Sequence, residues 1–218
     1  MNPIAAIIPV KNFKSSKLRL SQVLTNKERE NFSILMLNDV LKVIEKINFI
    51  KIIIITTPKE NQIKNDTVSK LKVLYDDSKN INDALYNAIE YCKKLNFNQI
   101  LILPSDIPLI NEKDIEKLLD IKNNYNYQII IIPSNRKDGT NMLLFDANLN
   151  INTFFGKNSF QKHQIEFNSK FKTYIHHSFN IGLDIDYEQD LKTFFKYSKN
   201  KKCSIYKYLK KINISKKL

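Results

Sequence analysis

A chain of 218 residues with 43% hydrophobic residues can bury a core without disulfides or structural metal, and Cys92 and Cys203, with no Cys or His at zinc or redox spacing, read as reduced thiols. The net charge of +13 is lopsided: no Asp or Glu occurs from Leu191 to Leu218, where ten lysines fall, so the body is nearly balanced and the charge argues weakly for nucleic acid. The start Met1-Asn2-Pro3-Ile4 lacks a basic leader and apolar runs such as 52–55 are too short to cross a bilayer, which predicts a cytoplasmic protein with no membrane partner.

Short β-branched runs alternate with longer amphipathic stretches, the pattern of an α/β sheet flanked by helices. Ile4 to Val10 reads as a buried first strand. A capping box at Thr25 to Glu28 opens a helix whose apolar face is Phe32, Leu35, Met36, Val40, Val43, Ile44 and Ile47. Strands follow at 51–57 and 71–75, then a helix bearing Leu85, Ala88, Ile89, Cys92 and Leu95, and a fourth strand at 99–103. Asn111 is placed to cap a helix through Ile115, Leu118 and Leu119, ahead of strands at 128–133 and 141–145. The segment 174–183 reads as extended, and Asp186 as the cap of a helix through Leu191, Phe194 and Phe195. These elements form one domain over 1–191 with a Lys-rich helix or tail at 192–218. In that tail Ile205, Tyr208, Leu209 and Ile212 have the spacing of a helix that docks back on the body.

Five features depart from bulk composition. The chain has only three glycines, against roughly 15 at the usual fraction, so Gly139 and Gly156, both in loops, are expected to serve the backbone. Of the three arginines, Arg19 and Arg136 fall in loops, where a planar grip on phosphate or carboxylate is useful. Directly after the first strand, Pro9-Val10-Lys11 and Lys14, Lys17 and Arg19 crowd positive charge at a strand's carboxyl end, where open α/β sheets bind ligands. No Walker glycine spacing is present, so a triphosphate here would rest in a lysine-arginine cradle. Pro104-Ser105-Asp106-Ile107-Pro108 holds one carboxylate between two prolines, a stiff mount suited to a magnesium ion. In Asp184-Ile185-Asp186 the alternation of an extended chain puts both carboxylates on one face, and a cation shared with Asp106 would have three hard oxygen ligands.

Together these segments, with Gly139-Thr140-Asn141 and Phe155-Gly156…Ser159…His163, resemble the 2-phospholactate or phosphoenolpyruvate guanylyltransferases of deazaflavin (F-420) coenzyme biosynthesis, over nearly the whole chain to about Leu191. The resemblance implies a Rossmann-like, GT-A-like nucleotidyltransferase fold: a mixed, mostly parallel sheet with helices on both faces. It implies an enzyme using Mg2+, GTP and a small phosphorylated carboxylic acid: 2-phospho-L-lactate, phosphoenolpyruvate or 3-phosphoglycerate. The nucleotide would be held by Pro9, Lys11, Lys17, Arg19, Asn82 and Ser105, the metal by Asp106, Asp184 and Asp186, and the acceptor by Thr140, Asn141, Gly156, Ser159 and His163. Lys11, Lys17, Arg19 and Asp106 would be the catalytic set. The family's glycine-rich turn after the third strand is replaced here by residues 76–82, from Asp76 to Asn82, which leaves the base preference open. Sugar-phosphate or molybdopterin nucleotidyltransferases share the metal logic, and a basic nucleic-acid-binding module is the rival of another class. A homodimer is compatible with all of these.

Overall fold

The computed structural model describes residues 3–63, 68–78, 80–198 and 203–218. Seven strands form one sheet in the order β3-β2-β1-β4-β6-β5-β7. They are β1 (Ile4–Pro9), β2 (Ile50–Thr57), β3 (Leu71–Tyr75), β4 (Gln99–Ile102), β5 (Ile129–Pro133), β6 (Thr140–Asp146) and β7 (Thr173–Ile175). All pairings are parallel except those of β6, which runs antiparallel to both β4 and β5. The mixed, mostly parallel α/β sheet therefore stands as expected.

The side-chain period of two in β1 feeds both faces. Ile4, Ala6 and Ile8 pack with Leu37, Val40, Leu41 and Ile44 of α1 (Asn26–Ile44) and with Ile115, Leu118 and Leu119 of α3 (Glu112–Asn124). Ala5 and Ile7 face the opposite layer, Leu85, Ala88, Ile89 and Cys92 of α2 (Ile81–Lys94) and Phe160 and Phe167 of α4 (Ser159–Asn168). The capping box holds as read: the Thr25 hydroxyl accepts from Glu28 N–H at 3.3 Å, and Glu28 accepts from Thr25 N–H at 2.8 Å. Asn111 likewise caps α3.

The segment 174–183 corrects the sequence reading, because only Thr173–Ile175 is strand and Phe179–Gly182 closes one helical turn, α5. Ser178 accepts from Ile181 N–H at 3.3 Å and so favours the turn over a ladder. Gly182 then packs against Asn135, whose backbone nitrogen lies 3.3 Å from where a Cβ would sit. Asp186 also does not cap the next helix, α6 (Glu188–Ser198): Asp190 accepts the N–H groups of Asp186 and Tyr187 at 2.9 and 2.8 Å. The Asp186 side chain is thereby left for other work.

Helix α6 runs through residue 191, and α7 (Ser204–Lys211) docks back through Ile205 and Leu209, as their spacing predicts. Both share a third cluster with Leu20, Phe32, Met36, Leu191, Phe194 and Ile214. The Asp39 carboxylate accepts from Ile205 N–H at 3.0 Å, placing negative charge at the start of α7. Of the tail lysines, Lys199, Lys201 and Lys202 lie outside the described residues. Because Leu209 is fully buried, Leu209→Ala is expected to cost about 3 kcal/mol, read as a lower urea midpoint at unchanged slope.

Candidate active site

The topology sets the site's edge. β1 and β4 end where the loops beginning at Val10 and Leu103 depart, and antiparallel β6 begins at that same edge, which brings Thr140 and Asn141 there. A cleft of about 370 Å³ opens at this edge, and its lining includes Pro9, Lys11, Lys17, Arg19, Ser105, Asp106 and Asp186. Its remaining walls include Phe13, Met36, Ile81 and Phe155.

At the centre is Lys17. Its backbone is left-handed, φ 53°, an uncommon conformation for a residue with a Cβ. Its ammonium bonds Asp106 Oδ2 and lies 2.8 Å from Asp186 Oδ1. Burial alone would lower the Lys17 pKa, but the charges of Asp106 and Asp186 outweigh it and the ammonium is held above the usual lysine range. For Asp186 burial pushes upward and is outweighed by Lys17 first and then the two arginines, so its carboxyl sits below the usual range. Arg19 reaches Asp186 Oδ2 at 3.1 Å. The two acidic segments are joined by backbone as well, Ile185 N–H donating to the Asp106 carbonyl at 3.1 Å.

Asp184 has other partners. It bonds Arg136 and accepts from Asn141 Nδ2 at 3.1 Å. Burial, then the charge of Asp106, raises its pKa, with Asn141 and Arg136 opposing. Arg136 thus grips carboxylates, Asp184 and, at 3.0 Å, Asp190. Among the described residues no three acidic, His or Cys side chains are gathered in a metal-holding group. The structure therefore brings Asp106 and Asp186 together around Lys17, with Asp184 beside them. Asp106 Oδ1 is buried and has no hydrogen-bond partner among the described residues, so it is an acceptor left unspent. An oxygen of this kind fits a hard divalent cation.

Two of the expected contact residues are held by protein partners. Asn82 spends both ends of its amide on Phe155, accepting its N–H at 2.8 Å and donating to its carbonyl at 3.1 Å. It clamps the loop before Gly156. Asn141 donates to the Ile181 carbonyl at 2.9 Å as well as to Asp184, so it positions an acidic residue. Gly156 does need to be glycine: its φ is +126°. Thr140, Ser159 and His163 form a second cluster: Thr140 N–H donates to Ser159 Oγ at 2.8 Å, and Thr140 Oγ1 lies 2.9 Å from His163 Nδ1. His163 is fully buried, stacked on Phe167 with ring centroids 5.3 Å apart.

The motifs missed Tyr187, Asp190 and Asn61. The Tyr187 ring lies beneath both guanidinium groups, 4.8 Å from Arg19 and 5.3 Å from Arg136. Asn61 pins the basic loop, accepting from Phe13 N–H at 3.0 Å and donating to the Lys11 carbonyl at 2.9 Å. Asp190 carried a readable signal, an acid in a helix's first turn, whereas Asn61 and Tyr187 act through distant partners.

With this geometry in place, comparison with known proteins decides the family. A family model described as "Guanylyl transferase CofC like" matches residues 4–218. The chain belongs to that family. It is similar to the 2-phospho-L-lactate guanylyltransferase of Methanobrevibacter smithii, 36% identical over 218 residues, covering 99% of this chain and 93% of the relative. The enzyme of that name from Methanosphaera stadtmanae is 33% identical, covering 98% and 92%. A solved structure from Desulfovibrio desulfuricans G20, described as a nucleotide-diphospho-sugar transferase, superposes with TM-score 0.78 at 15% identity, covering 100% of this chain and 99% of that one, which shows a common fold.

The His163 ring makes a prediction of its own within this CofC-like chain. Burial pushes its pKa down to about 4, from an ordinary value of 6.5. Between these values the unfolded chain takes up a proton that the folded one refuses, so stability falls as pH drops from 6.5 toward 4. Urea unfolding at pH 5 and pH 7 should show about 2 kcal/mol of lost stability from this ring, a difference that His163→Asn removes.

Proposed function

We propose that this chain transfers GMP from GTP to 2-phospho-L-lactate, releasing pyrophosphate, as a cytosolic step of F-420 coenzyme biosynthesis. The observation that carries the reading is the Lys17 ammonium set between Asp106 and Asp186 in the cleft at the strands' carboxyl edge, with Arg19 alongside. Such an alternation of cation and carboxylate suits a polyphosphate with a divalent counter-ion. The names of the relatives supply the donor and acceptor.

In this reading Lys11, Lys17 and Arg19 hold the triphosphate oxygens, and Pro9 and Ser105 shape the wall beside them. Asp106 and Asp186, with Asp184 next to them, hold magnesium. When bound, that ion neutralises charge on the triphosphate and helps orient its α-phosphate. A phosphate oxygen of the acceptor forms a bond to the α-phosphorus, the bond from that phosphorus to the β-phosphate bridging oxygen breaks, and pyrophosphate leaves with the electron pair. The nucleophile is already an anion, so no side chain has to remove a proton. Catalysis is then positioning and charge neutralisation, with Thr140, Gly156 and Ser159 meeting the acceptor. Asn82 contributes through the Phe155 loop, and His163 is not a base.

Pyrophosphate release measured for the four nucleoside triphosphates crossed with 2-phospho-L-lactate, phosphoenolpyruvate and 3-phosphoglycerate tests the reading. GTP with 2-phospho-L-lactate should be fastest, and no release from any pair would end it. Asp106→Asn should lower turnover by about 10²-fold or more while leaving the circular-dichroism spectrum intact. Unchanged turnover in that variant would remove the metal-holding role.

A further inference from the structure

We infer that His163 is a positioning residue that turns the Thr140 hydroxyl into an obligate donor, so that Thr140 and Ser159 together present two protons to an anionic oxygen of the acceptor. This rests on the reading of Thr140 and Ser159 as acceptor contacts and adds how they recognise it. The inference begins at the Phe154 backbone N–H, which lies 2.8 Å from His163 Nε2. A backbone N–H can only donate, so Nε2 must offer its lone pair and a neutral ring must carry its proton on Nδ1. That proton faces Thr140 Oγ1 at 2.9 Å, with the backbone of Ser159 as a second acceptor for the ring. Thr140 therefore accepts from the ring, and its own proton is left for another partner.

Ser159 is set the same way by a different bond. Its Oγ accepts the Thr140 backbone N–H at 2.8 Å, which leaves its hydroxyl proton to be given elsewhere. Among the described residues neither hydroxyl has a protein group to donate to, although Thr140 is 6% exposed and Ser159 2%. Buried donors left unspent are costly, and a ligand oxygen carrying negative charge would satisfy both at once. The same wiring rejects a ligand that brings protons of its own: an amide NH2 in place of the acid's carboxylate would meet donors with donors. The ring is kept in this register by its stack on Phe167 and by Asn82, which clamps Phe155 beside the donating Phe154.

The test combines spectroscopy and kinetics on the full-length protein. With three histidines in the chain, 15N NMR of histidine-labelled protein can resolve His163, which should show a protonated Nδ1 and an unprotonated Nε2 at both pH 6 and pH 8. The opposite tautomer would overturn the inference. Kinetically, Thr140→Val and His163→Gln should raise KM for 2-phospho-L-lactate by about 10- to 100-fold with KM for GTP within two-fold. His163→Asn, which can place an N–H where Nδ1 stood, should recover most of that loss. A merely structural histidine would make Asn and Gln equally harmful and move both KM values, which would overturn the assignment. If the wild-type protein turns over normally and Thr140→Val leaves the acceptor KM unchanged, this inference alone fails. If the wild type shows no transfer to any acid, the transferase reading fails and takes this inference with it.

Discussion

One ammonium ion shared by two carboxylates organises this molecule's working edge. Lys17, Asp106 and Asp186 come from the loop after β1, the loop after β4 and the approach to α6, so the contact ties together parts of the chain up to 169 residues apart. Each partner is partly withdrawn from water, Lys17 most of all, and a buried ammonium without its carboxylates would be costly. The left-handed backbone at Lys17 is held by the same closure, since a strained conformation persists only where its surroundings over-determine it.

Around this centre the remaining charges are arranged as a relay of pairs rather than a single acidic cup. Arg136 stands between Asp184 and Asp190, Arg19 reaches Asp186, and the Tyr187 ring supports both guanidinium groups. Asp190 does double duty, since the carboxylate that holds Arg136 also takes the two N–H groups that open α6. The acidic segment is thus oriented by its own helix and by the loop after β5. Among the described residues the Asp106 Oδ1 atom is the acceptor of this group left without a hydrogen bond.

A second polar cluster, built on neutral groups, lies where β6 and α4 begin. Its electrostatics are opposite in character: a buried histidine whose charged form burial disfavours, two hydroxyls and a glycine with positive φ, with no carboxylate among their hydrogen-bond partners in the described residues. The amide of Asn82 and the ring of Phe155 stand between this cluster and the charged cleft.

How much of this was legible in the sequence follows from the range of the forces involved. Strands and helices were readable because their signals are local: the period of two in β1, the capping box at Thr25, the Asn111 cap, and the spacing of Ile205 and Leu209 in the tail. The acidic residues of the Pro104–Pro108 and 184–186 segments stood out in the sequence, but a local signal does not say which groups they meet. What only the tertiary structure decided is partnership. That Asp186 leaves its helix for Lys17, that Asn82 and Asn141 serve the backbone and an acid, and that Asn61 and Tyr187 belong to the site at all are outcomes of contacts between residues far apart in the chain. A hydrogen bond or ion pair is directional and short in reach, so its partner is set only once the sheet order has put distant segments within about 3 Å of each other.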